Sequence, residues 1–140
     1  MSKKSAKIAA LIDGCRGQEL APHYLGYFEC FNRGLFYEAH DVLEELWLAD
    51  RHGPNGAFYK GLIQLAGAFV HLQKHRLRPA AALFKLARAN LGQYSAIHQH
   101  LDLPTVLGSI DDWLARLESK DFAVNPLTGS NAPRLALTPA

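Results

Sequence analysis

The stretch FYEAHDVLEELW, Phe36 to Trp47, decides the fold because its apolar residues recur every three or four positions. On a helical wheel, one arc is apolar and the opposite side is acidic. The apolar arc comprises Leu35, Phe36, Ala39, Val42, Leu43, Leu46 and Trp47, and the acidic side comprises Glu38, Asp41 and Glu45. His40 and Glu44 lie one turn apart with apolar residues on both sides of the pair. We therefore expect both side chains to face into the protein.

The same periodicity continues along most of the chain, and the alternation of apolar and polar residues that marks a strand is absent. We predict an all-α fold, a compact bundle of five to six helices with no sheet. The expected helices cover residues 4–15, 22–34, 35–50, 57–75, 79–97 and 104–120. Proline and glycine interrupt the last segment, so residues 1–124 are predicted to form a single helical domain and residues 125–140 an extended C-terminal tail.

The fourth predicted helix carries two stripes at helical spacing. The first is apolar and should form the centre of the core. It consists of Phe58, Leu62, Leu65, Phe69 and Leu72. The second lies beside it and mixes small with polar residues. It consists of Gln64, Gly67, Ala68, His71 and His75.

Composition restricts the class of protein. A length of 140 residues with 49% hydrophobic and 20% charged residues fits one globular domain. A net charge of +2 is too small to attract nucleic acid through the overall electrostatic field, so no nucleic-acid partner is expected. The most apolar stretch, residues 61–72, is too short to span a membrane. Cys15 and Cys30 form no zinc or disulfide pattern, so we expect a reduced, cytoplasmic protein. The sequence is compatible with a homo-oligomer.

A polar cluster is predicted between the third and fourth helices. The connection HGPNG, residues 52–56, is short, so the two helices should run antiparallel and side by side. In that register His40 is level with Gly67 and Trp47 is level with Lys60. The predicted cluster comprises His40, Glu44, Gln64 and His71, with Trp47 and Phe36 as its roof and His75 nearby.

Two segments resemble a known family. They are FNRGLFYEAHDVLEELW and GAFYKGLIQLAGAFVH, and they resemble the domain of unknown function 309, small bacterial and archaeal proteins with a His-x3-Glu-x2-Trp/Tyr motif. His40, Glu44 and Trp47 match that motif, and the resemblance covers roughly residues 24–95. It implies a compact helical fold and a motif that binds metal, and it implies no activity.

Two interpretations of the cluster remain open at this point. In the first, His40 and Glu44 bind a divalent metal (zinc, iron or manganese) or a small ligand, with His71 as third metal ligand and Gln64, His75, Trp47 and Phe36 around them. An open metal position would suit metal-assisted hydrolysis, but the sequence does not decide whether the protein is an enzyme. In the second, the protein is a helical interaction module, and His40 and Glu44 form a purely structural buried polar network.

Overall fold

The computed structural model describes residues 3–139, and this part of the chain is mainly helical, as predicted. Its helices are α1 (Lys3–Ile12), α2 (Pro22–Asn32), α3 (Phe36–Asp50), α4 (Gly56–Gln73), α5 (Leu77–Leu91) and α6 (Leu103–Ser119), with a 3-10 turn (Asp13–Cys15) after α1. Pro22 occupies the first turn of α2, where its missing N–H leaves no hydrogen bond unmade. At the start of α6, the Asp102 carboxylate accepts a hydrogen bond from the Thr105 amide at 3.3 Å.

Helix α4 forms the centre of the bundle. The residues of its predicted core stripe are at most 3% exposed. Phe69 contacts one ring from each of α2, α3, α5 and α6, at centroid distances of 5.1 to 5.7 Å. These rings belong to Phe31, Phe36, Phe84 and Trp113. Each helix therefore buries its apolar arc against α4 or its direct neighbours.

The prediction of no sheet is wrong, because a small antiparallel hairpin lies between α5 and α6. Strand β1 (Ile97–His98) pairs with strand β2 (Leu101–Asp102), and α5 ends at Leu91 rather than near Ile97. Gln99 and His100 form the turn with positive φ angles of 45° and 63°. Such turns normally carry Asn or Gly, so no local residue pattern predicts a hairpin here. Tertiary contacts hold the turn: Tyr24 Oη donates to the Gln99 carbonyl at 2.8 Å, and Gln99 Nε2 donates to Tyr59 Oη at 3.0 Å.

Residues 125–139 contain no helix or strand and run back over the bundle. Asn125 Nδ2 donates at 2.6 Å to the Leu72 carbonyl near the end of α4, which also accepts from the His75 amide at 3.1 Å. Farther along, Leu135 and Leu137 pack against the core. The tail is therefore seated on the helices along its length.

Candidate functional site

A groove between α3 and α4, closed on one side by α5, contains much of the predicted cluster. We call it the α3–α4 groove; its volume is about 260 Å³. Its polar lining consists of Tyr37, His40, Lys60, Gln64 and His71. Its apolar lining consists of Ile63, Gly67, Val70 and Leu83. The antiparallel register predicted from the short connection thus places polar groups of two helices around one cavity.

Gly67 keeps the floor of the groove open. A Cβ atom at this position would lie 3.1 Å from Leu83 Cδ1, closer than most side-chain contacts. The absence of a side chain therefore lets Leu83 of α5 approach α4 while space remains beside His40 and His71. The second stripe of α4 already suggested a small residue at this level.

His40 lies between two carboxylates of its own helix. Its Nδ1 is 3.2 Å from Asp41 Oδ1, a hydrogen-bond distance, and its Nε2 is 3.6 Å from Glu44 Oε2. The side chains of His40 and Glu44 are each 30% exposed, so the pair is half-buried rather than fully buried as predicted. An imidazole held by a carboxylate can accept a proton at one nitrogen while the other stays oriented.

Asp41 is the main correction to the helical wheel of α3. We predicted it on the outer acidic side, but it is only 8% exposed. Helices α1 and α2 cover this side of α3, and on the same side Glu45 Oε1 lies 2.9 Å from His23 Nε2. Local periodicity cannot show that a distant helix packs over a polar side.

Gln64 and His71 both line the groove, but their contacts differ from those predicted. Gln64 Oε1 accepts from Asn90 Nδ2 of α5 at 2.7 Å instead of contacting Glu44. His71 Nδ1 is buried and has no hydrogen-bond partner among the described residues. Burial lowers the pKa of His71 below its ordinary value of 6.5, and the positive charges of Arg76 and Lys74 lower it further. Its imidazole is therefore neutral near pH 7.

The three residues predicted around the cluster lie outside the groove lining. Phe36 is 1% exposed and packs against Phe31 and Phe69, so the prediction that it roofs the site is wrong. His75 follows the end of α4 with a φ of 57°, and its Nδ1 lies 3.3 Å from Asn125 Nδ2. The Trp47 ring lies beside the groove, where the Lys60 ammonium sits 4.4 Å from its centroid.

Sequence reasoning did not assign five of the lining residues to the site: Tyr37, Lys60, Ile63, Val70 and Leu83. Lys60 had a usable signal, since the predicted register placed it level with Trp47. The Tyr37 ring stacks on the His40 ring at a centroid distance of 6.1 Å. The helical wheel places Tyr37 beside the polar pair but does not predict that it lines a groove. Leu83 comes from α5, and no local pattern connects it with α3.

The predicted metal ligands fit an ion only in part. His40 and Glu44 present a nitrogen and an oxygen side by side, and His71 lines the same groove. Within residues 3–139, however, no three His, Cys, Asp or Glu side chains are placed to hold one ion. The described donor set is therefore a pair and lacks a third ligand.

Comparison with known families identifies the segment that carries this groove. Residues 24–83 match the family described as Domain of unknown function (DUF309). This segment is therefore similar to DUF309. It contains most of α2, all of α3 and α4, and the start of α5, and every residue lining the groove lies within it. Residues 84–95, to which we extended the resemblance, lie outside the match. No curated protein and no solved structure matches the chain.

Residues 3–139 contain no helix that is long and apolar enough to cross a bilayer.

Proposed function

We propose that the α3–α4 groove binds a small organic ligand with a carboxylate group and an apolar body. The observation that carries this proposal is a cavity of about 260 Å³ in which polar groups of two helices converge beside an apolar wall. Small-molecule sites commonly combine an apolar lining with a few placed polar groups. The cavity is at the small end of that class, so the ligand is a small one.

The lining favours an anionic group at one end of the ligand. Lys60 supplies a permanent positive charge at the mouth of the groove, next to Trp47. Gln64 uses its oxygen to accept from Asn90, which leaves its amide NH2 as a donor. Neutral His71 has one buried, unpartnered nitrogen, so its Nε2 is the nitrogen that can reach a ligand. Ile63, Val70 and Leu83 would contact the apolar body.

A divalent metal (zinc, iron or manganese) is the second candidate. The 3.6 Å separation of His40 Nε2 and Glu44 Oε2 favours it, because these atoms could bind one ion from one helix face. The missing third ligand among the described residues is the reason to rank it second.

The first experiment tests the anionic ligand with a simple probe. Benzoate is titrated into ¹⁵N-labelled full-length protein, with benzyl alcohol as its uncharged counterpart. We expect benzoate to shift amide signals in residues 60–71 more strongly than benzyl alcohol. Lys60→Met should weaken benzoate binding about fivefold, the change expected on losing an exposed ion pair worth about 1 kcal/mol. The exposed Lys120, which follows α6 and does not line the groove, gives a matched control, and Lys120→Met should leave binding unchanged. Absence of benzoate shifts in the groove would contradict the proposal.

The second experiment tests the metal in the same protein. In a Trp113→Phe background, Trp47 emission is followed during Zn²⁺ addition and removal by a chelator. A bound ion should change the emission and raise the melting temperature, because binding to the native state stabilises it. Glu44→Gln should abolish both effects, whereas Glu118→Gln on the exposed side of α6 should not. If neither benzoate nor Zn²⁺ binds, both proposals fail, and the interpretation of His40 and Glu44 as a structural polar pair is kept.

A further inference from the structure

The C-terminal tail is held by a side chain that recognises its backbone. Asn32, at the end of α2, donates from Nδ2 to the Leu135 carbonyl at 2.7 Å and accepts from the Leu135 amide at 2.6 Å. One amide group thus satisfies both backbone groups of a single residue, as a neighbouring strand would. Recognition of this kind does not depend on the side chain at the bound position.

Side chains of the tail alternate in exposure, as expected for an extended segment lying in a groove. Leu135 and Leu137 are half-buried against the core, whereas Arg134 and Ala136, on either side of Leu135, are exposed. The Thr138 amide donates to the His100 carbonyl at 2.6 Å and fixes the far end. Residues 133–139 therefore form a short, self-contained binding segment with two apolar anchors.

The site that receives this segment is only partly filled. We call it the tail groove; it lies between the tail and α2 and includes Leu25, Phe28, Glu29 and Asn32. An open cavity of about 580 Å³ remains beside the tail. Loose packing means few dispersion contacts, so the tail is attached mainly by the hydrogen bonds and leucines described above.

The segment before the tail can act as a hinge. Asn125 fixes its start on α4, and the hydrogen bonds of the turn that follows are made within the turn itself. Thr128 N donates to Asn131 Oδ1 at 2.7 Å, and Asn131 Nδ2 donates to the Pro126 carbonyl at 2.8 Å. If this turn opens, residues 126–132 can extend over about 23 Å. That length allows the tail to leave its own groove.

We propose that the tail groove accepts residues 133–139 of a second copy of this chain, so that two molecules exchange tails. The segment seated in the groove belongs to this chain, and a second copy therefore presents a fully complementary occupant. Exchange replaces each tail contact by an identical one, which is why terminal segments swap at low cost. The covalent tether favours the closed monomer at low concentration, and the exchanged dimer becomes favoured as concentration rises or the hinge shortens.

Shortening the hinge is the direct test. Full-length protein and a variant without residues 128–130 are compared by sedimentation equilibrium, with circular dichroism to verify folding. The deletion hinders closure on the same chain, so its dimer dissociation constant should fall by about tenfold or more. The control adds Leu135→Ser and Leu137→Ser to the shortened chain and should return it to a monomer. A shortened chain that stays monomeric at millimolar concentration would overturn the proposal.

A peptide supplied in trans tests the groove itself. The probe is a fluorescein-labelled peptide of residues 131–139, and the acceptor is full-length Leu135→Ser/Leu137→Ser, whose own tail is released. We expect this acceptor to bind the peptide about tenfold more tightly than the wild type, where the tethered tail competes. Adding Asn32→Ala should remove binding. No binding to the released acceptor overturns the proposal. Binding of the peptide without a dimer of the shortened chain also overturns the proposal.

Discussion

At the residue scale, burial decides the protonation of His71. Its pKa is lowered by burial, then by Arg76 and Lys74, whereas in the unfolded chain it stays near 6.5. Below about pH 6.5 the unfolded state therefore binds more protons than the folded state, and the free energy of unfolding should fall as the pH falls. His98 contributes in the same direction, since burial also lowers its pKa.

We predict that His71→Asn reduces this pH dependence. Urea unfolding at pH 7.5 and pH 5.5 measures it as the difference between two free energies of unfolding. The exposed His52 provides the control, and His52→Asn should leave the difference as in the wild type. If the difference between the two free energies of unfolding is as large in His71→Asn as in the wild type, His71 is not the source of the pH dependence.

Asp41 should matter more for stability than an exposed carboxylate in an ion pair. It is 8% exposed and lies within hydrogen-bond distance of His40 Nδ1. Asp41→Asn should therefore cost about 1–3 kcal/mol, the range for a buried charge-assisted hydrogen bond. Asp112 is the matched control, because it pairs with Arg116 at 2.8 Å but is 57% exposed, and Asp112→Asn should cost no more than about 0.5 kcal/mol. Chemical denaturation of both variants at pH 7 measures the loss in the free energy of unfolding. Equal losses in the two variants would contradict this prediction.

At the element scale, the close packing of α4 on α5 depends on Gly61. A Cβ atom at this position would lie 2.8 Å from Leu91 Cγ and 3.2 Å from Asn90 Cβ. Gly61→Ala should therefore separate the two helices and cost about 1–3 kcal/mol. The same change at Gly108 of α6 meets no atom within 4 Å and should stabilise the protein by about 0.5–1 kcal/mol through helix propensity. Thermal unfolding should show shifts of opposite sign; shifts of the same sign would contradict this packing argument.

At the scale of the whole molecule, the tail stabilises a bundle that is built without it. Its hydrogen bonds to the helices and the hairpin involve Leu72, Asn32 and His100. The core stripe of α4 and its aromatic neighbours all lie before residue 120.

We predict that a chain ending at residue 124 keeps its helical circular dichroism but loses on the order of 2–4 kcal/mol in its free energy of unfolding. The loss is expected because four tail hydrogen bonds are removed, each worth about 0.5–1 kcal/mol. Urea denaturation followed at 222 nm measures both quantities. Full-length Asn32→Ala removes two of these bonds, so its free energy of unfolding should lie between those of the wild type and the truncated chain. Loss of the helical signal on truncation would show that the tail is part of the folding unit.

The sequence by itself determined the helices and the centre of the core. The spacing of apolar residues is a local property, so the stripe from Phe58 to Leu72 and the short connection after α3 sufficed to place α4 centrally beside α3. The same register correctly brought His40, Gln64 and His71 to one groove.

Only the tertiary structure decided what covers each surface. Asp41 is buried because distant helices lie over α3, and Gln64 bonds to Asn90 because α5 passes beside it. The hairpin at Gln99 exists because two tyrosine hydroxyls hold a turn that its own residues disfavour. In each case the deciding partner is far away in the chain, and the energy of a long-range contact leaves no trace in local periodicity.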